Sequence, residues 1–178
     1  MRLFIAALIP EEIRKQLLKY INSLKSDIDG VKWEKSDKLH ITLKFLGNVE
    51  ESKLDDITNL LSRLVERCSP FKYEISEFGG FPNLNNPKVL YMGLSENREF
   101  SRFQQNLDQG LSELGFEKEY RRFIPHITLG HVKKKINIKS SPAITHSRFE
   151  IVEIGLIRSE LSPKGSVYTP VKIYKLEK

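Results

Sequence analysis

The sequence predicts an α+β protein built from a duplicated unit, and three observations carry that reading. The tetrapeptide His-Ile-Thr-Leu occurs twice, at His40–Leu43 and at His126–Leu129, half a chain length apart in 178 residues. Three stretches space their apolar residues as helices do, while the runs between them alternate or cluster as strands do. The two kinds of stretch interleave as strand, helix, strands, helix, strands, helix, strands. Each motif therefore falls in its own half beside at least one helix, and two sheets would bring the repeats together.

Taken in order, Arg2–Ile9 is an apolar run stopped by Pro10 and the charged Glu11 and Glu12. It is too short to span a membrane and lacks a small-residue cleavage pattern, so it reads as a buried first strand. With no targeting segment evident, the expected location is the cytoplasm. Pro10-Glu11-Glu12 is a helix start, followed by the stripe Ile13, Leu17, Ile21 and Leu24. The run Leu39–Leu46 holds the first motif. Glu50 and Glu51 precede a second stripe, Leu54, Ile57, Leu61, Leu64 and Cys68, and Pro70 stops it.

Tyr73–Phe78 and Val89–Gly93 read as strands on either side of the loop Phe81–Pro87, which its prolines and asparagines mark. Phe100, Phe103, Leu107, Leu111 and Leu114 form the third stripe, closed by Gly115. Pro125–Val132 holds the second motif. Lys133-Lys134-Lys135 begins an exposed basic connection reaching Pro142, and Phe149–Ile157 and Val167–Leu176 are the last strands. The helical stripes are core faces with no chemistry of their own. No linker is long enough to separate independent domains, so residues 1–178 read as one domain with two lobes.

Composition narrows the function classes. A hydrophobic fraction of 39% with 10% aromatics excludes a disordered chain. A net charge of +6 admits an anionic partner without identifying one. The single cysteine, Cys68, excludes an internal disulfide, fits a reducing compartment, and reads as a small buried hydrophobe.

On a strand, residues two apart point to the same face, so His and Thr of each motif share one side while Ile and Leu enter the core. A lone His-x-Thr reads most simply as a surface or hydrogen-bonded histidine. A repeat serving only packing explains Ile and Leu but not the recurrence of His and Thr opposite them. Histidine exchanges protons near neutral pH, and hydroxyls donate to phosphate oxygens. The threonines are poor zinc ligands, and only His131 lies near His126 as a second donor, which argues against a metal site. There is no glycine-flanked nucleophile elbow and no phosphate-binding glycine loop ending in Lys-Ser/Thr. A pair of histidines acting as base and acid without a metal remains.

With these residues in place, the chain resembles the two-histidine phosphoesterases, and among them the RNA 2′,3′-cyclic phosphodiesterases also called 2′-5′ RNA ligases. The resemblance runs from Arg2-Leu3-Phe4-Ile5-Ala6 through Leu39–Gly47, Phe81-Pro82-Asn83 and Pro125–Gly130 to Ser159-x-Leu161-x-Pro163-x-Gly165-x-x-Tyr168. It implies a bilobal α+β fold, with two pseudo-symmetric, antiparallel-rich sheets facing across a central groove and helices outside. It implies hydrolysis of a 2′,3′-cyclic phosphate RNA end to a 2′-phosphate, and 2′-5′ ligation as a side activity. His40 would donate the proton to the leaving 3′ oxygen, and His126 would accept one from water. Thr42 and Thr128 would hold the phosphate oxygens, and Tyr168 would lie among the substrate contacts. No metal or cofactor is implied. The implied partner is RNA bearing cyclic phosphate ends, such as tRNA fragments, with no membrane and no obligate protein partner.

One position departs from the family pattern. Five residues after the second motif histidine, where an arginine is usual, this chain has His131. Strand parity turns that position away from His126 unless a bulge intervenes, and Gly130 is where one would fit. A histidine lacks arginine's permanent fork, so Arg121, Arg122 or Lys133 are candidates for the missing charge. Two other readings stay open: a phosphodiesterase for small cyclic nucleotides, and a module that captures RNA ends without turnover. A working acid–base pair of imidazoles would give a bell-shaped rate profile centred near neutral pH.

Overall fold

Strands and helices alternate along the computed structural model, which describes residues 1–177; Lys178 lies outside the described residues. The elements are β1 (Arg2–Leu8), α1 (Glu11–Leu24), β2 (Val31–Trp33), β3 (His40–Asn48), α2 (Leu54–Val65), β4 (Phe71–Phe81), β5 (Val89–Leu94), α3 (Arg98–Glu113), β6 (His126–Val132), β7 (Arg148–Ile151), β8 (Glu153–Ser162) and β9 (Gly165–Lys175). The first stripe is buried as its spacing requires, and the third is buried up to Leu111. In α2 the buried residues are Ile57, Leu60, Leu61 and Val65, while Leu54 and Leu64 are half-buried and Cys68, also half-buried, lies past the helix end. Ile13, Leu17, Ile21 and Leu24 are the buried residues of α1, and Phe100, Phe103, Leu107 and Leu111 line the buried face of α3. The Asn97 side chain caps α3 by accepting from the Phe100 amide at 2.9 Å, which is worth about 1 kcal/mol. Gly115, at φ 90°, ends that helix in the left-handed conformation a side chain resists.

The strands run in the order β7-β4-β5-β6-β3-β1-β8-β9, with every pairing antiparallel, while β2 pairs with β6. The α+β class holds, but the two sheets expected from the duplication are not separate. They join at one bridge, Ile41 to Ile127, between the two motif strands. Beyond it β3 and β6 diverge, and β2 occupies the freed edge of β6, pairing Trp33 with Gly130 and Lys32 with His131.

Alternation along β1 shows what each face is for. Leu3, Ile5 and Ala7 join all three helices in the main core, whereas Phe4 and Ala6 join Ile157 in a small cluster on the opposite face. The helices thus cover one face and leave the other open to the motif histidines. The stretch Phe149–Ile157, expected as one strand, breaks at the exposed Val152. β7 pairs with β4 in one half of the sheet, and β8 pairs with β1 in the other. A single straight strand cannot serve both. The short β2 goes unmarked in the sequence, because three residues carry too little periodicity. The segment from Lys133 to Pro142 has no regular structure, as expected. No helix among the described residues is long and apolar enough to cross a membrane.

Candidate active site

The two motifs fold alike down to single atoms. Nδ1 of His40 lies 2.7 Å from the carbonyl of Lys38, and Nδ1 of His126 lies 2.7 Å from the carbonyl of Ile124, each two residues upstream. A carbonyl only accepts, so in both rings Nδ1 carries a hydrogen and Nε2 is the nitrogen that gains or loses the proton. Nε2 of His40 is 3.1 Å from the Thr42 hydroxyl. The antiparallel register about the Ile41–Ile127 bridge sets His40 across from Thr128 and Thr42 across from His126. All four sequence-predicted motif residues therefore meet on the open face.

Aromatic rings wall both histidines. Phe4 and Tyr168 lie 5.1 and 5.7 Å from the His40 ring, and Phe81 and Tyr91 lie 4.9 and 5.4 Å from that of His126. This apolar surround disfavours the charged imidazole, so burial pulls both histidines below their ordinary 6.5. For His40 the Lys38 carbonyl and the Glu34 carboxylate oppose that pull, while the His126 charge adds to it.

The same irregularity follows each motif. On β3, Thr42 pairs with Ala6 and Lys44 with Ile5, leaving Leu43 as an extra residue. On β6, Thr128 pairs with Tyr91 and Gly130 with Leu90, leaving Leu129 extra. Each bulge reverses parity, so the fifth residue after each histidine emerges on the side of that histidine. In the first motif this is Phe45, 69% exposed; in the second it is His131. The bulge expected beside Gly130 is therefore present. Gly130 itself must lack a side chain, because a Cβ there would come within 2.6 Å of Val31 Cγ1.

The candidate charges are placed as follows. His131 reaches the open face, but its Nε2 is 3.1 Å from Oε1 of Glu34. Burial raises the Glu34 carboxyl, yet His131, Lys38 and His40 outweigh it and hold the group below its usual range. Arg122 turns to Glu96 at 3.5 Å, and Arg121 chelates Glu119, so the guanidinium groups are engaged on the surface. Lys133 is exposed and binds Gly30 only through its backbone amide. Tyr168 lies against His40, and the Lys38 ammonium sits 5.6 Å above its ring. Phe4, Phe45, Tyr91, Glu34 and Lys38 belong to the site without having been singled out from sequence. The alternation of Val89, Tyr91 and Gly93 with core residues is the one signal that pointed to any of them.

Known proteins share this architecture. The LigT-like phosphoesterase family matches residues 8–91 and 93–168, one motif in each segment. The RNA 2′,3′-cyclic phosphodiesterase of Methanocaldococcus jannaschii is 37% identical, over 97% of this chain and 99% of its own. A crystal structure from Thermus thermophilus superposes with a TM-score of 0.88 at 33% identity, covering 99% of this chain and 98% of that one. Escherichia coli LigT complexed with 3′-AMP superposes at 0.84 with 26% identity and the same coverage. The paired motifs, the sheet that joins them and these likenesses agree: the chain belongs to the LigT-like phosphoesterases.

Proposed function

We propose that this protein is an RNA 2′,3′-cyclic phosphodiesterase that opens the cyclic end to a 2′-phosphate. The observation that carries the reading is the matched pair of imidazoles, each with Nδ1 tied to a carbonyl and Nε2 left to move a proton over one sheet face. Neutral His126 takes a proton from water at Nε2 as the water oxygen bonds to phosphorus. Protonated His40 gives its Nε2 proton to the 3′ oxygen as the bond from phosphorus to that oxygen breaks. The products are a 2′-phosphate and a 3′-hydroxyl, and the two imidazoles regain their starting states by exchange with solvent.

The Thr42 hydroxyl, 3.1 Å from Nε2 of His40, donates its hydrogen to a non-bridging phosphate oxygen, while the His40 Nε2–H is directed to the 3′ oxygen. Thr128 serves from the other strand. A ribose 5′-hydroxyl in place of water gives 2′-5′ ligation by the same transfers. The exposed face of Phe45 suits a stacked base.

Purified protein in EDTA, given an oligoribonucleotide with a 2′,3′-cyclic end, should yield a 2′-phosphate end. A 3′-phosphate product would mean that the 2′ oxygen leaves instead. With no product at all, the protein would be an RNA-end-binding module.

A further inference from the structure

We propose that Lys32 and Lys38 form a subsite for the phosphodiester immediately upstream of the cyclic end, so that the enzyme selects RNA chains over cyclic mononucleotides. The inference rests on the cyclic phosphodiesterase reading and names what its groove recognises beyond the reacting phosphate.

Three elements converge to build it. Lys32 lies on β2 directly across from His131, and cross-strand partners share a face, so its side chain rises on the face of the motif histidines. Lys38 ends the short 3-10 turn Ser36–Lys38, whose last carbonyl also holds His40. The turn between β8 and β9 brings Gly165, at φ 116°, up to both lysines. A Cβ on Gly165 would lie 3.6 Å from the Lys32 ammonium and 3.6 Å from that of Lys38. Two cations thus flank one point where the backbone withholds a side chain.

Their convergence sets them apart: both ammonium groups stand 3.6 Å from the Cβ position of Gly165. Lys15, Lys44 and Lys134 each pair with a carboxylate. Among the described residues, neither Lys32 nor Lys38 has a carboxylate oxygen within 4.0 Å. The Glu34 carboxylate, which the Lys38 charge helps hold low, is bonded to His131. Two adjacent, uncompensated ammonium groups repel each other and favour an anion between them.

Their place relative to His40 says which anion. His40 donates to the 3′ oxygen, so the terminal ribose sits on the His40 side of the reacting phosphorus. The 5′ carbon of that ribose carries the next phosphodiester. Lys38 lies one ring beyond His40, across Tyr168, where that linkage runs. A 2′,3′-cyclic mononucleotide with a free 5′-hydroxyl has no charge to place there.

A double-mutant cycle between protein and RNA tests the subsite. Binding is measured with short oligoribonucleotides ending in 2′-phosphate, the reaction product, whose first upstream linkage is either a phosphodiester or a neutral methylphosphonate. Wild-type protein should lose about tenfold in affinity with the methylphosphonate, as expected for one charged hydrogen bond. The K32Q/K38Q variant should bind the phosphodiester RNA as weakly as wild type binds the methylphosphonate, and should lose little more when both changes are combined. The slope of log Kd against log salt should flatten in the variant by about 0.7 for each phosphate it no longer neutralises. With cyclic-ended substrates, its KM should rise more for the oligonucleotide than for the cyclic mononucleotide.

Wild-type indifference to the methylphosphonate, or equal sensitivity in the variant, would overturn the proposal without any assumption about how the variant folds. Coupling in the binding cycle with no turnover of the cyclic end would support the subsite and remove the hydrolase reading.

Discussion

His40 and His126 are in the same bond, each Nδ1 on a carbonyl, and differ in what surrounds Nε2. His40→Ala and His126→Ala should each lower turnover by about 10²–10⁴-fold while the protein folds normally, as single-turnover rates and circular dichroism would show. Thr42→Ala and Thr128→Ala each remove one hydrogen bond to a charged phosphate, about 1.5–3 kcal/mol, and should cost less. Near-full activity in either histidine variant would end the paired mechanism.

The pH dependence follows from the direction of the shifts. Both folded-state values lie below 6.5, so the acid limb, where His126 gains its proton, and the alkaline limb, where His40 loses its own, both fall below 6.5. The maximum of kcat/KM should therefore lie on the acid side of 6.5, which moves the sequence expectation of a near-neutral centre. The profile of kcat should sit at higher pH, because bound phosphate favours the charged imidazole. A kcat/KM maximum at or above neutrality would contradict this. Stability carries the same sign: between the folded values and 6.5 the unfolded chain binds more protons, so the melting temperature should fall as pH drops through that window.

At the scale of elements, the motif strands were legible because Ile and Leu must face the core, which leaves His and Thr no other side. The helical stripes were legible for the same reason. The break at Val152 was not, since two buried strands in sequence look like one until their partners are known. The bulges were half visible: Gly130 marked one, but nothing in Leu43-Lys44 marks the other. Lys32 and Lys38 were invisible because their meaning depends on the β8–β9 turn, which is distant in sequence. Gly130→Ala tests the element that fills the gap between the motif strands. The added Cβ meets Val31 and Trp33, and overpacking of this kind costs about 1–3 kcal/mol. Thermal melting should register the loss, and displacement of β2 should raise KM through Lys32 and Glu34.

Across the whole molecule, one buried ion pair ties the central strand to the helical layer. Lys44 on β3 binds Asp108 on α3 and the carbonyl of Glu117, while Asp108 also accepts the Glu119 amide. Both side chains are nearly enclosed, at 11% and 7% exposure, so removing one partner strands the other. Asp108→Ala should cost about 3–5 kcal/mol, whereas replacing both partners with apolar residues of similar volume should recover much of it. Denaturant melts of the single and double variants would separate a lost attraction from a stranded charge.

The β8–β9 hairpin returns to the half of the sheet that contains β1 and β3, and this has a consequence for synthesis. A nascent chain reaches β7 with the strands around His126 already made, yet Tyr168 and the Gly165 turn come only with β9. Synthesis proceeds from the N-terminus, so the wall of the His40 pocket is built after every other strand. Until then the groove lacks one side, so the pocket around His40 closes only as the last strand leaves the ribosome.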